Sequence, residues 1–471
     1  MAGFRIVAVT VIAGLLTVGL LSDQRARDLD LVGVMEPLTT PDSSVGTWFC
    51  AGGEANSGLA DAGSALAQVG LDIANVGYEP SVVNVTILSG DGIAIPYTVP
   101  AGSRMPVALG DLAPESQWVG ALVETSSPDV LVEQNFEGVT GTARLPCATT
   151  TDRLHVVGGG ATRTISDGEQ MVLVLANPFP GDAVADLRFD SEYGLDSRSA
   201  VVVPAGEVVA IRVDDEVTVA SRVHVVVEAQ AGRLLVEQVQ TRANETVNGL
   251  SVMHGVQRGS VVSILPSVSS VSGVFDRIYV TNPSEDEVAE VDLEVLITDG
   301  EAPDPIELTI RPGRTAIVDI ADEPRLAELA SFAVRARSLS GVPVAVSMSR
   351  QVPTGGLEVP GLAGMEASDG AAKRWLAVLG GNKSLLSIVN PSTVSEVTVE
   401  IRVVSADGET HISPFIVKPD RVAFIDVSDV DDRQLVDLHA SGPVVVGREN
   451  LGFESRQLLS AVAGSELVPL N

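Results

Sequence analysis

Cysteine, histidine, lysine and aromatic side chains are all scarce. The 471 residues include 2 Cys and 5 His, and aromatics make up 4%. That leaves little material for a zinc cluster or an iron–sulfur site. Basic charge is short as well: 30 Lys and Arg stand against 62 Asp and Glu, a formal net charge of -32. A surface this negative repels phosphate backbones and anionic headgroups, so no nucleic-acid partner is expected. GxSxG, Walker, HExxH, EF-hand and GGxGxD patterns do not occur. The abundant material is apolar, 45% hydrophobic against 20% charged. That is too apolar for a disordered chain and sufficient for several buried cores. At about 150 residues per domain the length predicts roughly three domains.

One long apolar run opens the chain, from Ile6 to Leu21, with Arg5 before it and Arg25 and Arg27 after it. At about 1.5 Å per residue it spans roughly 24 Å, a little short of a ~30 Å hydrocarbon core. Residues 1–22 are expected to form an uncleaved transmembrane anchor, with membrane contact through residues 6–21. A cleaved signal segment is the alternative, although Thr17-Val18-Gly19 is a weak cleavage site. Residues 23–44 then form a polar juxtamembrane tether. The flanking arginines alone would keep the body inside. The argument for export comes from the cysteines.

Beyond residue 45 one pattern recurs four times. Short apolar stretches end in Asn75, Asn177, Asn282 and Asn390, three of them followed by Pro, at intervals of about 100 residues. A second landmark keeps that period, with Pro100, Pro204, Pro312 and Pro419 each near a Gly or Asp; this predicts a β-turn between strands. A third is an apolar strand, VLVEQN, LLVEQV, VAVSMS or VVVGRE, near the end of each copy. An opening strand carries Trp48 in the first copy and Trp375 in the last.

Each copy reads as about seven short strands. In the last, Thr398-Val399-Glu400-Ile401-Arg402-Val403 alternates as a half-buried strand should. Seven strands in about 100 residues predict an all-β chain of tandem immunoglobulin-like β-sandwich repeats; propeller blades have half that period. The boundaries predicted are 45–148, 152–258, 259–360 and 373–471. The stretch from Pro360 to Ala372 is small and polar and is expected to be a linker. Short junctions elsewhere predict a fairly stiff rod.

Few residues suggest chemistry. Cys50 and Cys147 bracket the first copy, and a disulfide between them would persist only outside the reducing cytoplasm. His155, His224, His254, His411 and His439 lack metal-ligand spacing and are expected on strand faces or the surface. Acidic residues recur after the fifth strand, at Asp111, Asp214 and Asp215, Asp322 and Glu323, and Asp429, Asp431 and Asp432. Turn and cap chemistry accounts for them, with Ca²⁺ binding the competing reading. The strings Gly52-Gly53 and Gly158-Gly159-Gly160 read as strand ends, and Trp48 and Trp375 as core. No catalytic, cofactor or metal residue is assigned.

The short apolar start, the WFCAGG opening (Trp48 to Gly53), the repeated ANP, TNP and VNP strands and the VPAG turns resemble an actinobacterial family of single-pass, extracytoplasmic proteins classed as a domain of unknown function. The scarcity of lysine (Lys373, Lys383 and Lys418) is consistent with a GC-rich genome. The resemblance implies a cell-envelope setting and carries over no binding residue. The leading expectation is a non-enzymatic, membrane-anchored envelope rod whose partner is a cell-envelope protein or polysaccharide. A secreted carbohydrate- or peptidoglycan-binding protein is the alternative, and an enzyme the third.

Overall fold

The computed structural model describes residues 46–471 except 56–67, 91, 163–168, 218, 244–246, 328, 355–360, 381–382, 406–407, 428–433, 452–455, 461, 464–467 and 471. The proposed anchor, the tether and Asp429, Asp431 and Asp432 therefore lie outside the described residues. Among the described residues, no helix is long and apolar enough to cross a membrane.

The chain is all-β, and its strands fall into four segments. The first holds β1 (Gly46–Glu54), β2 (Gln68–Asn75), β3 (Ser81–Leu88), β4 (Ala94–Val99), β5 (Ser103–Ala108), β6 (Trp118–Thr125), β7 (Val130–Gly138) and β8 (Gly141–Pro146), with a helical turn α1 (Leu109–Leu112) after β5. The second holds β9 (Leu154–Thr162), β10 (Glu169–Asn177), β11 (Ala183–Ser191), β12 (Gly194–Val203), β13 (Glu207–Arg212), β14 (Ala220–Ala231), β15 (Leu235–Ala243), β16 (Asn248–His254) and the two-residue β17 (Val256–Gln257). The third holds β18 (Val262–Ser269), β19 (Phe275–Thr281), β20 (Ala289–Leu296), β21 (Ile306–Ile310), β22 (Thr315–Asp319), β23 (Ser331–Ser338), β24 (Ala345–Val352) and β25 (Gly361–Glu366). The fourth holds β26 (Gly370–Val378), β27 (Lys383–Asn390), β28 (Val397–Ser405), β29 (Gly408–Val417), β30 (Arg421–Asp426), β31 (Leu435–Leu451), β32 (Arg456–Ser460), β33 (Val462–Ala463) and β34 (Val468–Pro469).

Two sheets recur in each segment, joined in the first by one parallel pairing of Glu54 in β1 with Gln68 in β2. The first sheet runs β4-β3-β6-β1, β12-β11-β14-β9, β21-β20-β23-β18 and β29-β28-β31-β26. The second runs β5-β2-β7-β8, β13-β10-β15-β16, β22-β19-β24-β25 and β30-β27-β31-β32. Each segment thus has an eighth strand beyond the seven expected. In the fourth, the two strands expected at 436–440 and 444–448 are one, β31, which pairs with β26 and β28 through its first half and with β27 and β32 through its second. The strand order also differs from the immunoglobulin one, in which the sixth strand lies between the third and the seventh. Here it lies between the third and the first. Alternation specifies which face of a strand is buried, not which strand lies beside it.

The Asn and Pro landmarks turn out to be two halves of one clamp. Asn75 Nδ2 donates to the carbonyls of Glu79 and Val99 at 2.8 and 3.1 Å, and its Oδ1 accepts from the Gly77 N–H at 2.9 Å. The same three bonds recur at Asn177, Asn282 and Asn390. Each asparagine closes the loop after the second strand and ties it to the end of the fourth. The turn landmark bonds back: the N–H groups of Gly102, Gly206, Gly313 and Asp420 reach the carbonyls of Gly77, Asn177, Ser284 and Ser392 at 3.2, 3.0, 2.9 and 2.9 Å. All four turn residues have positive φ. Only an amide can donate twice and accept once here, which explains why Asn recurs.

Third strands alternate as the sequence predicts; β3 reads buried, exposed, buried, exposed from Ser81 to Asn84. Strands nearer the neighbouring segment do not. All eight positions of β18 are buried, and eight of the nine in β10. Both faces of these strands are covered, one by the segment's other sheet and one by the neighbouring segment. Phe49 meets Phe179 of the second segment at 6.2 Å between ring centroids. Gly158 and Gly159 of the second lie against Tyr279 of the third, so closely that a Cβ on Gly159 would stand 2.5 Å from the ring. Val262, Ile264, Leu296 and Ala333 of the third join Val389, Val422 and Val445 of the fourth in one apolar cluster. Leu376, Val378, Val404 and Leu435 of the fourth join the core of the first.

The series therefore closes on itself, and the expected rod is corrected. The first sheet of each segment packs on the second sheet of the next, and that of the fourth packs on the first. The eighth strands follow the same cycle, β8 against β16, β16 against β25, β25 against β32 and β32 against β8. Gly46–Asn471 forms one compact unit. The expected linker at 360–372 is corrected as well. Gly361–Glu366 is β25, paired along its length with β24, and Gly370 already begins β26. Its small residues serve close packing: a Cβ on Gly364 would lie 3.0 Å from Met253 Sδ of β16.

Cys50 and Cys147 are bonded, with both residues buried and a sequence separation of 97. The bond ties β1 to the chain just past β8. In the chain-entropy account a loop of that size contributes about 4–5 kcal/mol.

Replacing Asn282 by Asp keeps the shape of the clamp but removes both donors. Each buried carbonyl left unpaired costs about 1–3 kcal/mol. The expected loss is about 2–4 kcal/mol of stability, read from urea unfolding with the disulfide intact.

Candidate functional site

Polar residues interrupt the apolar seventh strands, and the fold buries them. β7 carries Glu133 and Gln134, β15 carries Glu237, β24 carries Arg350, and the second half of β31 carries Arg448 and Glu449, all buried. Between the first and second segments, Gln134 Nε2 donates to Glu237 Oε1 at 2.7 Å, and the Ala51 N–H reaches the same oxygen at 3.2 Å. The Gly52 N–H donates to Gln134 Oε1 at 2.7 Å. His254, the last residue of β16, lies with Nδ1 3.3 Å from Glu237 and Nε2 2.7 Å from the Pro146 carbonyl. Burial disfavours its charge, but Glu237, with help from Glu366 and the Pro146 carbonyl, pushes the imidazole up to about 9. It is therefore a cation at neutral pH.

Between the third and fourth segments, Arg350 forks onto Asp276, Nε to Oδ1 at 2.7 Å and Nη2 to Oδ2 at 2.6 Å, and reaches Glu449 with Nη1 at 3.0 Å. Burial lowers its pKa, but the two carboxylates outweigh it and hold the guanidinium charged. Between the fourth and first, Arg448 pairs with Glu133. Arg242 of the second donates to Gln351 of the third at 2.8 Å.

Where successive segments join, a cavity of ≈ 280 Å³ opens against His254, Gln257, Ser263, Glu366, Asp369 and Trp375. A second, of ≈ 300 Å³, lies on the first sheet of the fourth segment against Glu400, Arg402, His411, Pro414, Asp437 and His439. Register builds it: Glu400 lies opposite His439, and Arg402 opposite both Asp437 and His411. His439 Nε2 is 3.0 Å from Asp437 Oδ1. Burial raises the Asp437 pKa, but Arg374 and Arg402 outweigh it and keep the carboxylate ionised. The same arginines seal the ring. Arg374 reaches Asp129 of the first segment at 2.8 Å, and Arg402 reaches the Val76 carbonyl at 3.0 Å and lies 4.8 Å over the Tyr78 ring.

Two of the five histidines, His224 and His254, lie at segment seams, His155 lies inside the second segment, and His411 and His439 line the outer pocket. Burial lowers the pKa of His155, whose Nε2 is 2.9 Å from the Leu234 carbonyl. His224 is pushed down to about 4 by burial, with Arg222 adding to it; its Nδ1 accepts from the Gly159 N–H at 3.3 Å. Among the described residues, no group of three His, Cys, Asp or Glu is placed to hold a metal ion. The acidic loops of the first three segments do form helical turns, but among the described residues side-chain capping occurs there only at Glu323, which accepts from the Arg325 N–H. Asp214 is instead a buried carboxylate pushed up to about 6 by desolvation. Trp48 and Trp375 are core residues, 5% and 3% exposed. The cross-seam pairs Arg350–Glu449 and Arg448–Glu133 escape any linear reading. Their one trace is a charged residue inside an otherwise apolar strand, as in VLVEQN and VVVGRE.

Removing Arg350 strands Asp276 and Glu449 in the interior. Arg350→Met is expected to cost about 3–5 kcal/mol in chemical unfolding. The His254 pKa lies above its ordinary 6.5, so the native state binds the extra proton. Its stabilisation is complete below about pH 6.5 and is lost as pH rises through about 9. Stability should therefore decline across that interval, and His254→Gln should flatten the slope.

Residues 118–414 match a family of unknown function, DUF5719, over well more than half of the chain. No curated protein matches. A crystal structure of a tetra-tandem repeat in the extending region of a large adhesion protein aligns at 12% identity over 86% of this chain and 97% of that one. Its TM-score is 0.08, and the likeness carries no argument.

Proposed function

We propose a function from the premise that the chain belongs to DUF5719, a family of unknown function: it is a non-enzymatic, membrane-anchored protein of an actinobacterial cell envelope. Its body lies outside the cytoplasm and acts as a scaffold that binds an envelope protein or polysaccharide. The observation that carries this reading is the Cys50–Cys147 disulfide, a bond that persists in oxidising compartments and is rare in the cytosol. Residues 6–21 supply the anchor in this reading.

We read the four segments as tandem copies of one ancestral sandwich, immunoglobulin-like in its two-sheet build though not in strand order. The recurring order and the fourfold asparagine clamp support that reading. In this reading the third copy continues through Glu366 and the fourth begins at Gly370. A non-catalytic role is supported by the use made of the buried charges, which hold one segment against the next. Of Trp48, Trp118 and Trp375, the residues that could stack on a sugar, the first and last are buried and Trp118 is half-buried.

Protease added to intact cells tests the placement. The expected outcome is digestion of the fourth segment without lysis, with Cys50 and Cys147 resistant to alkylation until reductant is added. Protection of the fourth segment until lysis, or thiols that label without reductant, would sink the proposal.

A further inference from the structure

The outermost strand of each first sheet, β4, β12, β21 or β29, has one backbone edge without a neighbouring strand among the described residues. A free edge offers a row of N–H and C=O groups to any extended chain, and proline is a usual device that blocks it. Three of the four edges carry that device. β4 contains Pro96, β29 contains Pro414, and β21 has only five residues and follows Pro303 and Pro305. β12 has ten residues and no proline, and Leu195 to Ala200 are exposed without interruption. Its one irregularity, a bulge that leaves Ala200 at positive φ, lies at the far end of that stretch. From Gly194 opposite Ser191 to Arg198 opposite Leu187 the register with β11 is regular.

The side chains of this edge complement their own reverse. Asp196 and Arg198 lie on one face of β12, opposite Phe189 and Leu187 of β11. When a second β12 is laid antiparallel about Ser197, Asp196 of each strand stands directly opposite Arg198 of the other, giving two ion pairs related by a two-fold axis. Ser197 then meets Ser197, a pair small enough for close approach. Arg198 already reaches Glu216 of its own chain, which leaves the side chain 46% exposed. A guanidinium has five N–H donors, enough to serve both carboxylates. Tyr193 and Leu195 are exposed beside this stretch and add apolar surface to the same edge.

We propose that β12 is a self-association edge, through which two copies of this chain pair antiparallel over residues 195–199 with Ser197 at the centre. The first sheets of the two second segments become one sheet continuous across both molecules. Main-chain hydrogen bonds supply the attraction, and the Asp196–Arg198 pairs fix the register. The pairing requires neither an anchor nor an envelope partner.

The test uses the full, disulfide-bonded chain. Sedimentation velocity over a rising concentration series is expected to show a monomer–dimer equilibrium. Arg198→Asp sets carboxylate against carboxylate twice and is expected to weaken the dimer at least about tenfold. Adding Asp196→Arg exchanges the two charges and should restore the dimer, although the pair with Glu216 stays lost; a residue needed only for folding would not be rescued in this way. Ser197→Cys should give a disulfide-linked dimer under mild oxidation, because the two-fold brings the two thiols within bonding reach. Leu195→Cys should not, since its two copies stand roughly 13 Å apart along the strands. A monomer at every concentration, an Arg198→Asp dimer that the second exchange leaves weak, or equal cross-linking by the two cysteine variants would overturn the assignment.

Discussion

Burial of both faces of the strands at the segment interfaces is the constraint on which the rest of this structure depends. Strands such as β10 and β18 are apolar nearly throughout, so a lone sandwich would expose half of what they carry. A row of four sandwiches would still leave one such face bare at each end. Packing the fourth first sheet on the first second sheet removes both bare ends at once. The driving force is ordinary, about 25 cal/mol for each Å² of apolar surface withdrawn from water. Its geometric consequence is that the segments cannot hang as independent beads.

Charges placed inside that apolar ring then act on how the segments meet. Glu133, Glu237, Arg350, Arg448 and Glu449 are buried on seventh strands and find partners across or beside the seams. Desolvating them is expensive, so they add little stability over apolar residues of the same size. A misplaced arrangement, however, would leave a buried charge alone. A slip of one residue at the third and fourth segments would separate Arg350 from Glu449, and apolar contacts alone would tolerate such slips better. The acidic surplus of the chain is consistent with this division, because the buried arginines are largely matched and the excess carboxylates remain for the surface.

Much of the segment architecture was legible in the chain itself. The period near 100 residues, the all-β build and the disulfide follow from residue order, because each rests on local chemistry or on a simple count. The asparagine landmark was legible as a pattern before its reason was visible: Asn75, Asn177, Asn282 and Asn390 each satisfy carbonyls from a strand end more than twenty residues away. Other features were misread. Gly361 to Glu366 resembles a linker because small residues are needed both in flexible chain and where two backbones approach closely. The glycines at 158 to 160 resemble a turn for the same reason, although Gly158 and Gly159 make room for Tyr279 and Gly160 for Met171. The rod was inferred from short junctions, which limit flexing but say nothing about curvature.

Residue order by itself determined the units: where strands lie, which face of the alternating ones is buried, where loops are clamped and which cysteines bracket a segment. These are set by neighbours within a few residues or by a recurring period. Tertiary structure alone decided how the units meet: which strand lies beside the sixth, that the fourth segment returns to the first, and that Arg350 and Arg448 find carboxylates on other strands. Such pairings join residues as many as 315 positions apart. They depend on the packing angle between successive sheets, a quantity that no single stretch of sequence encodes.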